Sequence, residues 1–375
     1  MSELTNNGHR TFQWQLLTTV SALALLGAAY GPDQAKADDN TDRPTVWIEL
    51  GGQLTRLKDG EESFSPSLMD VRPAQFSSSP QFEKMPLSSI DESGAITIQP
   101  DNSTWAFSAS VRYGRSVSHT HVRQQTNPKP LVTHFGSNAR TSFQSGNEFD
   151  DTDTDGNEHH LVVDFQAGKD VGLGLFGSKG TSNLDLGVRF AQFGTNTNIA
   201  LKSDPDWHWF YLFGEIPYGG TFHSNAATLV ASRSFRGVGP SLSWNASAPV
   251  LGNSNESKIA LDWGLNAAVL FGRQKANLHQ QTSVAYHTAK YRGPNYTKNP
   301  IISHGSSDIR RSRIVVVPNL GGFAGVSFRY SNAKVSFGYR ADFFFGAMDS
   351  GIETHKSENV GFYGPFATIS IGLGG

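Results

Sequence analysis

Residues 335–345, VSFGYRADFFF, alternate apolar with polar or small side chains in the way that an extended strand requires. The odd-numbered positions are Val, Phe, Tyr, Ala, Phe and Phe, whereas the even-numbered ones include Ser336, Arg340 and Asp342. Successive side chains of a strand point to opposite faces, so this stretch has one apolar and one polar face. On a helix the same order would scatter charged and aromatic side chains around the whole axis. The stretch therefore predicts a strand with a single apolar face.

The same two-residue period returns along most of the chain. It predicts strands at residues 46–54, 105–114, 161–168, 184–191, 238–246, 259–272, 316–329, 335–345 and 363–373, with a further short strand at 95–99. Short connections such as 331–334 alternate with long ones at 116–160, 194–235, 273–313 and 348–360. Short turns at one end and long loops at the other are typical of outer-membrane barrels. The predicted fold class is all-β: a transmembrane antiparallel up-and-down β-barrel of about 8–10 strands, with short periplasmic turns and long extracellular loops.

The bulk composition agrees with a β-rich chain and excludes several kinds of chemistry. The 39 glycines and 11% aromatic residues favour strands and turns. The mean hydropathy of −0.36 would suggest a soluble protein, but alternating strands hide a lipid-facing surface from such an average. A net charge of −2 gives no reason to expect a nucleic-acid partner. The absence of cysteine excludes disulfides, cysteine-zinc sites and thiol catalysis.

The N-terminus has the pattern of a secretory signal peptide, predicted to span residues 1–37. Residues 16–30, LLTTVSALALLGAAY, form an apolar run too short to cross a bilayer as a helix. Ala35-Lys36-Ala37 then supplies a small-x-small cleavage site, so Sec-type export and a mature chain starting at Asp38 are expected. The alternative is a buried N-terminal helix. Residues 38–103 are predicted to hold one strand and a long loop, adding a hairpin if 95–99 pairs, and residues 104–375 form the barrel.

The polar face of these strands supplies the candidate pore-lining residues. They are Glu49, Arg112, Asp164, Asp185, Arg189, Asp262, Asn266, Arg329, Arg340 and Asp342. Acids and bases are nearly balanced, which is compatible with a narrow, polar, weakly selective pore. The other interpretation is a network of salt bridges that fills a small barrel, since about eight strands enclose an interior just large enough for side chains.

The remaining motifs carry little chemistry. Residues 151–156, DTDTDG, resemble the opening of a calcium loop and make Asp151, Asp153 and Asp155 candidate calcium ligands, although Val162 stands where a bidentate Glu belongs. A solvated acidic loop explains the same residues. No other cofactor is expected. The chain has no nucleophile elbow, phosphate loop or HExxH motif, so no enzyme activity is predicted.

Three segments are similar to a known family. They are residues 235–244 (FRGVGPSLSW), 262–273 (DWGLNAAVLFGR) and 315–349, and they resemble the Legionella-type pore-forming major outer membrane proteins. The resemblance extends over residues 105–375. It implies a pore-forming barrel of a Gram-negative outer membrane, without assigning roles to single residues.

The expected function is accordingly a porin-like pore for small polar solutes. The alternative is a non-conducting structural or adhesion barrel that acts through its long extracellular loops. Outer-membrane lipid, lipopolysaccharide and the barrel assembly machinery are the partners expected at that location, and no nucleic acid is expected.

Overall fold

The chain folds into β-strands throughout the part that the computed structural model describes. That part comprises residues 46–58, 88–100, 103, 105–126, 134–135, 139–140, 148–170, 181–212, 216–253, 257–292, 295–351 and 354–373. Within those ranges no helix is long and apolar enough to cross a membrane. The predicted signal peptide and most of the loop that follows the first strand lie outside the described residues.

Twelve strands are present in these ranges, and ten of them close into one barrel. The strands are β1 (Val46–Lys58), β2 (Ser88–Ile98), β3 (Trp105–Thr126), β4 (His134–Phe135), β5 (Ala139–Arg140), β6 (Glu148–Asp170), β7 (Thr181–Leu212), β8 (Ile216–Asn253), β9 (Ser257–Arg292), β10 (Asn295–Tyr330), β11 (Ala333–Asp349) and β12 (Ser357–Leu373). The barrel strands follow one another in chain order and pair antiparallel, with β6 next to β3 because β4 pairs only with β5. β1 closes the barrel by pairing with both β2 and β12.

The predicted fold class is therefore confirmed, with the strand number at its upper value. β2 pairs with β1 from Val46↔Ile98 to Arg56↔Ser88, so the N-terminal hairpin belongs to the barrel and is longer than the sequence predicted. A tight turn at Ser331 and Asn332 joins β10 to β11, in agreement with the expected short connection. This end of the barrel is called the turn end below, and the opposite end is called the extended end.

The two faces of the strands separate as the alternation predicted. Leu265 and Phe337 point outward with exposed fractions of 57% and 62%. Inward-pointing Arg189 and Asp342 are only 3% and 1% exposed. Side chains inside the barrel are thus covered, whereas the outer wall presents large apolar side chains that lipid would cover.

The apolar outer wall is tall enough for a membrane. On β9 it comprises the seven odd-numbered residues from Ile259 to Phe271. In order they are Ile, Leu, Trp, Leu, Ala, Val and Phe. At about 3.4 Å per residue this band is about 40 Å long on the strand, and about 30 Å high at the usual tilt of a barrel strand. Leu265 lies at its middle.

The strands continue where the sequence predicted loops. β3 and β6 stay paired out to Thr126↔Glu148, and β9 and β10 stay paired out to Asn295↔Arg292. β7 and β8 likewise pair beyond the predicted boundary at Gly194. The loop prediction for most of residues 116–160, 194–235 and 273–313 was wrong because, beyond the membrane band, the outward side chains become polar and no longer show the apolar alternation.

This extension has an apolar interior of its own. Its buried residues are Ile199, Leu201, Ala227, Leu229, Ala231, Ala276 and Leu278, with Ile309 packed against them. All lie at inward-pointing positions of their strands. The same alternate positions therefore point inward in the extension as in the apolar band. The β2–β3 and β10–β11 ladders end at Ile90↔Arg115 and Asn319↔Phe344. Above them β3, β6, β7, β8, β9 and β10 continue as one sheet.

The position of Leu265 at mid-height yields a first prediction. Replacing Leu265 by Arg should lower the free energy of unfolding by about 2–4 kcal/mol, because a charge on the lipid side is most costly at the midplane. The matched change Ile259→Arg, at the turn end of the same strand, should cost only about 0–1 kcal/mol. Urea unfolding of the refolded protein in lipid vesicles, followed by tryptophan fluorescence, measures both. Equal losses would mean that β9 does not cross a membrane as described.

Candidate functional site

Arg189 on β7 is the centre of a charged cluster halfway along the lumen. Its Nε and Nη2 donate to the two carboxylate oxygens of Asp164 on β6 at 2.6 and 3.0 Å. Its Nη1 donates to Asn266 Oδ1 on β9 at 2.7 Å and also to Asn319 Oδ1 on β10. The two-pronged pairing is the strong geometry for arginine and a carboxylate. Arg189 thereby joins four strands through the interior.

A second ion pair crosses the lumen next to the first. Arg112 Nη1 on β3 donates to Asp342 Oδ2 on β11 at 2.5 Å, although these strands are not neighbours in the barrel. Arg340 lies against aromatic rings instead, with its Cζ 4.9 Å from the ring centroid of Phe366 and 5.8 Å from that of Phe323. Both distances are within the range of a cation–π contact.

The turn end of the lumen contains smaller polar pairs. Asp262 accepts from Lys334 Nζ at 2.7 Å and from Ser247 Oγ at 2.6 Å. Asp185 accepts from Asn245 Nδ2 at 2.8 Å. These carboxylates line the inner wall between β7, β8 and β9, and each is held by a neighbouring side chain.

Glu49 and Arg329 complete the predicted set. Glu49 Oε2 accepts from Ser370 Oγ at 2.8 Å, and the Arg329 Cζ lies 5.3 Å from the ring centroid of Trp47. All ten candidate pore-lining residues thus have the inward parity that the sequence predicted. The structure brings Arg189, Asp164 and Asn266 into one cluster and places the others along the lumen. Their role in conduction stays a prediction.

An apolar layer, which sequence reasoning missed, lies between the charged cluster and the extended end. Four phenylalanine rings form it: Phe193 lies 4.6 Å from Phe344, 5.3 Å from Phe362 and 5.7 Å from Phe235, measured between ring centroids. Val162, Ala191, Ala268, Leu270, Val317, Ala347 and Met348 pack around them, and all these side chains are buried. The inward parity of Phe193 and Phe344 is the signal in the sequence, but the candidate pore-lining set contains only polar residues of that face.

The burial of His160 inside the barrel is a second feature that the sequence did not predict. His160 is buried beside the apolar layer, and its ring centroid lies 4.0 Å from the ring centroid of Phe362. Its Nε2 lies 3.0 Å from Asp91 Oδ2, and its Nδ1 lies 3.0 Å from Glu158 Oε1. Asp91 also accepts from the hydroxyl groups of Thr55 and Ser89. The residue belongs to a hydrogen-bonded group inside the barrel, not to the polar loop predicted from its surroundings.

The lumen is covered at the extended end by residues 346–351, here called the capping segment. β11 stops pairing with β10 after Phe344, and its register with β12 shifts between Phe344 and Met348. Gly346 has a φ of +69°, which glycine adopts without steric cost. Beyond this bend β11 contacts β8 and β9, which are not its neighbours in the barrel. The chain therefore folds inward across the lumen.

Side chains from three strands hold the capping segment. Gln274 Nε2 on β9 donates to the Gly346 carbonyl at 2.6 Å, and Arg233 Nη2 on β8 donates to the Ser350 carbonyl at 3.3 Å. Arg311 Nε on β10 donates to Asp349 Oδ2 at 2.8 Å, and its Nη2 donates to a backbone carbonyl of the segment.

The carboxylate of Asp349 organises the segment itself. It accepts the backbone N–H groups of Gly351 and Lys356, each at 3.1 Å. Burial raises the pKa of Asp349, but these N–H groups and Arg311 more than offset that effect and hold the pKa below its ordinary value. The segment is thus fixed by an ionised carboxylate at the usual pH.

The candidate calcium ligands lie elsewhere, on the outer surface of the extension. Asp151, Asp153 and Asp155 occupy alternate positions of β6 instead of a loop. His121 Nδ1 lies 2.5 Å from Asp153, and His119 Nδ1 lies 2.7 Å from Asp155. The second hydrogen bond raises the pKa of His119. In the described ranges no three such side chains are grouped to hold a metal ion, and calcium binding here stays a prediction.

Comparison with known proteins returns barrels at low similarity. No protein-family model and no curated protein matches the chain. Among solved structures, the chain is similar to the translocator domain of the autotransporter NalP from Neisseria meningitidis, at 10% identity over 98% of both chains with a TM-score of 0.21. It is also similar to the toluene transporter TodX of P. putida, at 10% identity over 90% of this chain and 91% of that chain, with a TM-score of 0.19. Such scores carry no argument about function.

The molecule is a closed ten-stranded antiparallel barrel with an apolar outer wall, the architecture of outer-membrane barrels. This class follows from its own ladders and exposed side chains, independently of the comparisons. The resemblance to the Legionella-type family is not represented among these matches and stays a prediction.

The charged cluster yields a second prediction. Asp164→Ala should destabilise the barrel by about 3–5 kcal/mol, because it leaves the buried Arg189 without its carboxylate. The double change Asp164→Ala with Arg189→Met should cost less than Asp164→Ala alone. As a control, Asp308→Ala removes a carboxylate paired with His279 on the exposed surface, and should cost about 1 kcal/mol or less. Urea unfolding in vesicles gives all three values. A double variant at least as unstable as Asp164→Ala alone would contradict the buried pair.

Proposed function

We propose that this chain is a pore-forming barrel of a bacterial outer membrane, that it passes small polar solutes, and that its lumen is closed in the conformation described. It reaches that membrane by Sec-type export and is inserted by the barrel assembly machinery. The observation that carries the proposal is the capping segment. A strand that leaves its neighbour and folds across the lumen on side-chain hydrogen bonds is a separate element that can move without opening the barrel wall.

The interior on the turn side of the capping segment suits polar solutes. Acidic and basic side chains alternate along it, among them Asp185, Asp262, Lys334 and Arg112. Balanced charge of this kind favours hydrated solutes in general and gives no strong preference for either sign. A polar interior with a plug at one end is a known form of outer-membrane barrels.

The apolar layer supplies the barrier to flow. A ring of buried phenylalanines such as Phe193, Phe235, Phe344 and Phe362 excludes water, and hydrophobic constrictions gate channels by drying. Phe344 lies two residues before the bend at Gly346, so movement of the capping segment pulls on the same layer. Release of the cap would therefore open both barriers together.

A second function is favoured by a different observation. The bonds of Arg189 to three strands and the fully buried phenylalanines describe a filled interior, and the sheet formed by β7, β8, β9 and β10 continues far beyond the apolar band. A non-conducting barrel that presents this extension for adhesion or structural contacts would have the same features. The two functions differ in whether the lumen ever conducts.

The pore is tested by releasing the capping segment. Planar-bilayer recording of the refolded wild type should show rare, discrete openings. The change Arg311→Ala removes the charged hydrogen bonds to the segment and should raise the open fraction by about 10- to 100-fold, as expected for losing about 1.5–3 kcal/mol.

Arg313→Ala is the matched control, because Arg313 is exposed on the same strand. It should leave the open fraction unchanged. Heat-modifiable migration on gels shows that each variant is folded. If wild type, Arg311→Ala and the double variant Gln274→Ala with Arg311→Ala are all folded and silent, the pore is wrong and the non-conducting barrel replaces it.

A further inference from the structure

The outer wall changes from apolar to basic within a single step of the alternation on β8 and β9, and within two steps on β10. On β8 the outward residues run from Val238 to Arg236, and on β9 from Phe271 to Arg273 and then Lys275. On β10 the same face carries Arg310 beyond the last apolar position. All four basic side chains are exposed. They mark the border of the apolar band on the side of the extended end.

The register brings these four side chains together. Arg236 lies directly opposite Arg273, so their Cβ atoms are about 5 Å apart. Lys275 is the next outward residue after Arg273, about 7 Å farther along the strand. Arg310 pairs with Asn277, which is the outward residue after Lys275. The four residues, here called the basic cluster, therefore form one patch across three strands.

Within the part of the chain that the structure describes, the charges of the basic cluster are not balanced by acidic side chains. No carboxylate in the described ranges forms an ion pair with any of the four residues. The nearest outward acid on β10, Asp308, is bonded to His279 at 2.6 Å. Arg236 Nε donates to the neutral oxygen of Gln192 at 3.1 Å. Like charges opposite each other in a sheet are destabilising, so the arrangement calls for an anion from outside the chain.

The place of the basic cluster limits what that anion is. Phe271, Val238 and Val316, which lie immediately below it on the same face, are about half exposed. They form an apolar surface continuous with the cationic patch. A ligand that covers both must combine a multiply charged acidic headgroup with hydrocarbon chains. Arginine forks bind phosphate oxygens in pairs, and basic residues at a membrane border bind anionic headgroups.

We propose that the basic cluster is a binding site for the phosphates of a phosphorylated glycolipid, the lipid A part of lipopolysaccharide, with its acyl chains on the apolar residues below. The assignment rests on the outer-membrane location in the proposed function. It holds whether or not the lumen conducts, because the site is on the outer wall. Free phosphate shares the headgroup chemistry but not the apolar contacts.

The test compares lipid binding by the full-length refolded barrel and its variants in neutral detergent micelles. Native mass spectrometry and a fluorescent lipid A titration measure the affinity. The double variant Arg236→Gln with Arg273→Gln should bind lipid A about 30-fold more weakly, since each basic residue near a charged membrane surface contributes roughly a factor of five. Lys202→Gln, which removes an exposed charge from the outward face of β7 outside the cluster, should bind like wild type.

Two further measurements distinguish lipid A from free phosphate as the ligand. Lipid A without its phosphates should bind the wild type weakly. Its affinity should be no higher than the affinity of intact lipid A for the double variant. Inorganic phosphate should compete only at concentrations far above those of lipid A. The inference is overturned if the double variant keeps wild-type affinity, if the lipid without phosphates binds as tightly as the intact one, or if inorganic phosphate displaces lipid A at equal concentration.

Bilayer recording on the same variants distinguishes failure of the lipid-binding site from failure of the proposed pore. The double variant should retain the wild-type open fraction. A silent barrel that binds lipid A through Arg236 and Arg273 would support the inference and contradict the pore, whereas a conducting barrel without that binding would do the reverse.

Discussion

The structure depends on closing the ladder between β1 and β12. In hydrocarbon no water is present to bond with an exposed strand edge, so every backbone N–H and C=O in the membrane must find a partner within the protein. The pairs from Val46↔Leu373 to Lys58↔Gly361 remove the last two edges of the sheet. Once the edges are closed, each side chain must face either lipid or lumen. The alternation in the sequence follows from this constraint, and so does the division between an outer wall that faces lipid and an inner face that lines the lumen.

The interior shows how a narrow barrel uses the second face. Polar pairs line the turn end, Arg189 connects four strands at mid-height, four phenylalanines form the next layer, and the capping segment covers them. Ion pairs are costly to bury unless their polar groups are hydrogen-bonded, and here the arginine of the largest cluster donates four hydrogen bonds. The capping segment is held differently, because β11 no longer pairs with β10 there and side chains from β8, β9 and β10 bond the segment instead.

Much of this could be predicted from the sequence, because a two-residue period with one apolar face reports directly on lipid contact. It located all ten barrel strands and placed residues such as Asp164 and Arg340 on the inner face. It failed where the lipid ends. Beyond Gly194 the outward residues are polar and the inward ones, such as Ile199, are apolar, so the strands were mistaken for loops. The bend at Gly346 and the group around His160 depend on contacts between distant strands, which no local pattern reports.

The most direct test of the barrel is an accessibility scan along β9. The chain contains no cysteine, so single cysteines at positions 258–278 can carry a spin label without background. In lipid vesicles, labels at odd positions from 259 to 271 should collide with oxygen, which dissolves in lipid, and even positions should not. From 273 onward, odd positions should instead collide with a water-soluble nickel complex. Absence of a two-residue alternation, or oxygen contact continuing past 273, would contradict a membrane-spanning strand that ends at the basic cluster.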